Sequence, residues 1–241
     1  MAQFAKLFEK YDRLVLLDTE TTGLQFSRDE IIEFAAVVVE QRNGEAVVVA
    51  EYDELVALNP GGFVPPKIQE LTGISTQDLQ ERGISKTRVC RDIAELIAGN
   101  TLLLAYNAHF DLSFLFYLLL RSGDPQILKG KDKLDLLTVY KDRHAFPHKL
   151  CNAIDTYGLA DQVVKLPPGG GRCAGHCGRH GRYGSRKGRF GTLCKPLWLQ
   201  PQVRRRWQTH RFCHLQASAL QSHRASVREV KPAPQIASGI G

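Results

Sequence analysis

The sequence predicts an α/β layer fold with a mixed central sheet flanked by helices, and three observations predict it. An apolar run at 14–17 ends in acids and a Gly, as a buried central strand does. Two β-branched runs, 31–39 and 46–52, follow it and are joined through Asn43-Gly44, a strong hairpin signal. Helical patterns then alternate with short apolar strands near 101–105 and 134–137, the order that builds α/β layers.

Each element has its own local warrant. The first strand runs into Asp18-Thr19-Glu20-Thr21-Thr22-Gly23. Successive strand side chains alternate faces, so Asp18 and Glu20 point the same way. Two carboxylates side by side repel unless a cation lies between them, and hard oxygen ligands suit Mg²⁺ or Mn²⁺ better than zinc. Thr and Gly directly after them let hydroxyls and backbone N–H groups approach a phosphate. The bland alternative for Asp-x-Glu alone is a strand end with solvated acids.

Pro65-Pro66 opens a helical stretch that Thr72-Gly73 ends. Ser75 or Thr76 caps a short turn through Leu79. Residues 85–98 read as an amphipathic helix with Val89, Ile93, Leu96 and Ile97 on one side and Gly99-Asn100 closing it. The strand at 101–105 leads through Tyr106-Asn107-Ala108-His109-Phe110-Asp111 into a strongly apolar helix to about Leu120. Asp111 thus falls near a helix start beside a strand end, where a third acid can meet Asp18 and Glu20. Gly123-Asp124-Pro125 breaks the chain. Helices are expected over 138–143 and 149–157, the second closed by Gly158.

The net charge of +7 averages two unlike parts. Up to Leu166 there are 18 basic and 24 acidic residues; from Pro167 there are 14 basic residues and one acid, Glu229. Four of the six Cys (Cys173, Cys177, Cys194 and Cys213) lie in the second part, and no Asp follows Asp161. The sequence therefore divides into a domain over 1–166 and a basic Gly/Arg/Cys-rich tail over 167–241, expected to be irregular. The N-terminus has no signal-peptide core, and the longest apolar run, 112–120, is too short to cross a membrane. A cytoplasmic protein without a membrane partner is the expectation.

With DTETTG at 18–23 followed by NAHFD at 107–111, the chain resembles the DEDD superfamily of 3′–5′ exonucleases. This is the DnaQ-like group that includes the DNA polymerase III epsilon subunit and ribonuclease T. FVPPKIQELTGIS at 63–75, KLDLLTVYKDR at 133–143 and HKLCNAIDTYGL at 148–159 look like the family's connecting segments. The likeness covers roughly residues 11–165. It implies a ribonuclease H-like fold and two-metal removal of nucleotides from a 3′ end, with two Mg²⁺ or Mn²⁺ ions about 4 Å apart. Carried over by position, Asp18, Glu20 and Asp111 would be catalytic metal ligands. Thr21, Gly23 and Leu24 would border the terminal nucleotide, and Asn107 would help position the strand. Phe110 reads as packing and His109 as an exposed loop residue. The implied partners are single-stranded DNA or RNA 3′ ends and a DNA polymerase subunit.

The family's His branch takes a fourth carboxylate and a proton acceptor from His-x-x-x-x-Asp, shortly after a "YGL"-like helix end. After Tyr157-Gly158-Leu159 this chain has His176 and His180, but no Asp follows either histidine. Three explanations present themselves. The tail is a Gly-Arg-rich nucleic-acid arm beside a degenerate, non-catalytic nuclease fold. Or Cys173, His176, Cys177 and His180 bind zinc, although their spacing matches no strong zinc pattern. Or the tail is read one base out of frame, the explanation favoured here. In the shifted frame the codons from Pro167 permit His-Arg-Ala-x-x-Asp-Ala-Leu-Asp-Thr, the missing motif, and Val230-Lys231 permits a stop. On that reading the tail has no packed core, the domain lacks its last helix, and the chain as written is an impaired nuclease.

Overall fold

The computed structural model describes residues 5–158. The boundary at Pro167, the irregular tail, its zinc and frame readings and the absent last helix lie outside those residues. The described elements run in the order α1 (Ala5–Phe8), β1 (Arg13–Thr21), β2 (Ile31–Arg42), β3 (Glu45–Leu55), α2 (Pro66–Thr72), α3 (Thr76–Arg82), α4 (Lys86–Leu96), β4 (Thr101–Ala105), α5 (Ala108–Ser122), a 3₁₀ turn (Pro125–Leu128), β5 (Asp132–Asp135), α6 (Leu136–Lys141) and α7 (Leu150–Thr156).

The five strands form one sheet in the order β3-β2-β1-β4-β5. β1, β2 and β3 make an antiparallel meander, while β4 and β5 join in parallel. The expected mixed sheet is what the chain forms. The β2–β3 turn uses Asn43 and Gly44, both at positive φ (52° and 80°), as a tight hairpin of this twist requires. Helix ends follow their sequence signals: Pro66 sits in the first turn of α2, Ser75 and Asp78 form a reciprocal capping box on α3, and Ser85 caps α4.

β1 lies at the centre of the sheet and is buried on both faces. Leu14 and Leu16 pack with Val37, Leu102, Leu104 and Tyr11 on one face. Val15 and Leu17 pack on the other, against α4 and α5. Phe114, Leu115, Leu118 and Leu119 give α5 its buried stripe, at the i, i+1, i+4, i+5 spacing of one helical face. Leu115 is fully buried, so Leu115→Ala would cost about 2–5 kcal/mol.

Several boundaries differ from the sequence expectation, and two of them bear on the acids. β1 does not stop at Leu17 but continues through the acids, because Asp18, Thr19 and Glu20 pair with Ala35, Phe34 and Glu33 of β2. β5 ends at Asp135 rather than Leu137, because the Asp135 carboxylate accepts the Leu137 N–H (3.0 Å) and starts α6 two residues early.

Candidate active site

The sheet places Asp18 and Glu20 at the carboxyl end of its central strand, on the face that carries Leu14 and Leu16. The alternate residues Thr19 and Thr21 are buried on the opposite face. The β1–β2 register slips between Glu20 and Thr21, a bulge that ends regular pairing just past the acids.

Asp111 arrives from the other direction. β4 runs parallel to β1 and its last paired residue, Leu104, lies beside Leu16, two residues before Asp18; α5 begins three residues after β4 ends. The buried Asp111 carboxylate takes two hydrogen bonds at one oxygen: from the Thr19 backbone N–H (3.0 Å) and the Thr19 hydroxyl (2.9 Å). The third acid is therefore fastened to the residue between the first two.

The electrostatics agree with this proximity. Burial pushes the Glu20 carboxyl up to about 8, with the neighbouring Asp18, Glu33 and Asp111 charges adding to it. Asp111 is raised by burial and then by Asp18, against the opposing pull of the Thr19 hydrogen bonds. Asp18 is raised as well by the protein around it, although its side chain keeps an opening to solvent. With Glu20 and Asp111 raised by burial and by the Asp18 charge beside them, a positive charge placed among these acids would favour their ionised forms.

Glu33 was not singled out in the sequence. It is 6% exposed and lies directly across the β1–β2 ladder from Glu20. Its signal was visible as one charged residue inside the apolar run IIEFAAVVV, but only the register reveals what it faces. Among the described residues, no three His, Cys, Asp or Glu side chains are clustered tightly enough to enclose a metal ion unaided. The hard-oxygen chemistry of Asp18, Glu20 and Asp111 fits a divalent cation.

The flanking residues fall around this centre. The Thr21 hydroxyl donates to the Gly23 carbonyl (2.6 Å) and closes the turn after the strand. A Cβ at Gly23 would stand 2.3 Å from an Asp29 carboxyl oxygen that accepts the Gln25 N–H, so the glycine makes room for a loop carboxylate. Leu24 is 80% exposed at the loop tip. The loop itself is anchored: Phe26 packs against Phe114 and Tyr117, Arg121 donates to the Ser27 carbonyl, and Lys86 binds both Glu30 and Asn59. Asn107 precedes α5 in a left-handed conformation (φ 73°), exposed and capping nothing. Phe110 packs on Phe114, and His109 is exposed, with its carbonyl accepting the Ser113 hydroxyl.

An exonuclease family model, RNase_T, matches residues 15–163, spanning both acidic motifs and the helices that follow. The chain belongs to this family. The exonuclease domain is 36% identical over 165 residues to the 3′–5′ exonuclease DinG of Bacillus subtilis (strain 168), covering 61% of this chain and 17% of that protein. It is 35% identical over 158 residues to the DNA polymerase III subunit epsilon of Treponema pallidum (strain Nichols), covering 64% of this chain and 57% of the relative. The chain thus spans less than two thirds of either relative. A product-bound structure of exonuclease I superposes with a TM-score of 0.54 at 18% identity, over 61% of this chain and 39% of that one. The likeness confirms the ribonuclease H-like fold of a mixed sheet flanked by helices. No helix among the described residues is long and apolar enough to cross a membrane.

Proposed function

We propose that this exonuclease domain removes nucleotides from the 3′ end of a nucleic acid, DNA rather than RNA, and that the chain as written does so poorly. The observation that supports the reading is the pair of hydrogen bonds from Thr19 to Asp111, which tie the acid of one motif to the residue between the two acids of the other. Asp18, Glu20 and Asp111 would hold two Mg²⁺ or Mn²⁺ ions. Bound there, such ions supply charge neutralisation at the scissile phosphate and a more acidic water.

The chain's own residues do the rest. Thr19 fixes the Asp111 carboxylate. Thr21 and Gly23 set the turn that displays Leu24 as an apolar edge for the terminal base, and Asn107 offers an amide to the strand. The proton acceptor for the attacking water would come from the His-x-x-x-x-Asp motif, which the chain lacks as written. We assign the catalytic part to residues 1–166 and the out-of-frame tail to 167–241. The DNA preference and a polymerase subunit as partner are supported by the similarity to the Treponema epsilon subunit.

The test is release of the end nucleotide from a 3′-labelled single-stranded oligonucleotide with Mg²⁺ or Mn²⁺. The one-base correction after Leu166 should raise the rate by about 10²–10⁴-fold, the usual worth of a positioned proton acceptor. Equal rates from both forms would refute the impairment. The tail composition favours one second reading, a non-catalytic binder with a basic arm. That reading predicts affinity that falls steeply with salt and is indifferent to Asp18 and Glu20.

A further inference from the structure

We propose that Asp135 is a positioning residue for the strand-binding side of the site, through its hydrogen bond to the backbone of Asn107. Asp135 is the last residue of β5, paired with Ala105 of β4, and neither the motifs nor the connecting segments give it a role in substrate handling. One carboxyl oxygen accepts the Asn107 N–H (2.9 Å) and the Leu137 N–H (3.0 Å). The other accepts the Thr138 hydroxyl (3.0 Å). A single side chain therefore starts α6 and also holds the residue that precedes α5.

The bond to Asn107 falls where it has the most leverage. Asn107 adopts φ 73° and ψ 50°, a conformation uncommon for residues other than glycine and tolerated best by Asn and Asp. Its side chain caps nothing in α5 and is exposed, so the left-handed turn serves to present the amide outward. Directly after it, Ala108 is buried and Asp111 is bound to Thr19, which fixes the helix from its far side. With α5 anchored there, the Asp135 bond governs the orientation of Asn107 far more than the position of Asp111. Its loss is expected to weaken the hold on the nucleic-acid strand and to leave the acids in place. The proposal rests on the reading of Asn107 as a strand contact.

Three substitutions in the full chain separate this role from its alternatives. In Asp135→Asn the amide oxygen still accepts the Asn107 and Leu137 N–H groups, and the amide nitrogen can donate to Thr138. In Asp135→Ser the short hydroxyl still caps α6 but does not reach Asn107. Asn107→Ala removes the presented amide itself. The readouts are the affinity for a short fluorescent oligothymidylate with a free 3′-hydroxyl, and hydrogen exchange of the Asn107 N–H. Affinity is measured with Ca²⁺ to hold off hydrolysis and in about 0.3 M salt to screen the basic tail.

Asp135→Ser should bind about tenfold more weakly, exchange faster at Asn107 and keep a thermal midpoint close to the parent. Asp135→Asn should match the parent in both readouts. Parent-like binding by Asp135→Ser despite fast exchange at Asn107 overturns the proposal. So does an Asp135→Asn variant as weak as Asp135→Ser, since the negative charge would then be the functional feature. If Asn107→Ala binds like the parent, the reading of Asn107 fails instead. A weak Asn107→Ala beside a tight Asp135→Ser removes Asp135 alone.

Discussion

The two acidic motifs reach the same place by different means. Asp18 and Glu20 are carried on the central strand, whose backbone is paired with β4 over Arg13–Leu16 and stays paired with β2 through both acids. Asp111 and Asn107 belong to a strand-to-helix junction and depend on the hydrogen bonds that Thr19 donates to Asp111 and on the one that Asp135 accepts from the Asn107 N–H. The ladder fixes the first pair whatever their neighbours are. The second pair is held by three individual hydrogen bonds, so substitutions around it should change geometry without unfolding the sheet.

The largest effects should come from the ladder-held pair. Asp18→Asn with Glu20→Gln should reduce metal-dependent release from a 3′-labelled oligonucleotide to the metal-free background. Asp111→Asn should also depress release, yet raise the thermal midpoint of the metal-free protein at pH 8, because it removes a buried carboxyl that resists ionisation. If Asp111→Asn instead lowers both, the junction is holding the fold and the contrast fails.

Next in size is the effect of pH. Glu20 titrates near 8 when folded against an ordinary value of 4.5, with Asp18 and Asp111 raised too. A carboxyl raised by folding contributes most below its unfolded value, and that contribution is lost as pH climbs through the folded value. The metal-free thermal midpoint should therefore fall between pH 5 and 9, by roughly 5–10 °C. Mg²⁺ or Mn²⁺ should restore it at the alkaline end. Calorimetry across that range checks the direction; a midpoint that rises with pH would contradict the cluster.

Smaller still is Gly23→Ala, which pushes the Asp29 carboxylate off the Gln25 N–H and should cost about 1 kcal/mol in denaturant melts. Smallest is Thr19→Val. The Thr19 N–H still reaches Asp111 when the hydroxyl is gone, so activity should fall by less than about tenfold, with Thr19→Ser closer to the parent.

The strand that bears Asp18 and Glu20, the Asn43-Gly44 hairpin and the helix starts at Pro66, Ser75 and Ser85 were legible because each depends on residues within a few positions. The alternation that puts both acids on one face is likewise local. What escaped was non-local. Glu33 looked like an interruption in an apolar run until the register set it opposite Glu20. Asp135 looked like the interior of a strand because its role as a helix start competes with the apolar Leu136 and Leu137 that follow it. Thr19 was given no role in the sequence, and its bond to Asp111 spans two elements far apart along the chain. Gly23 also makes room for a carboxyl oxygen of Asp29, a neighbour that the sequence did not point to.

The parallel alignment of β1 with β4 joins residues as distant in sequence as Leu14 and Leu102. No hairpin can deliver that pairing; it must await the whole intervening crossover, which makes it a slow step in acquiring the native state. During synthesis the ribosome releases the first two acids long before the third. A growing polypeptide thus has no partner for Thr19 at Asp111 until α5 has emerged and packed on the sheet.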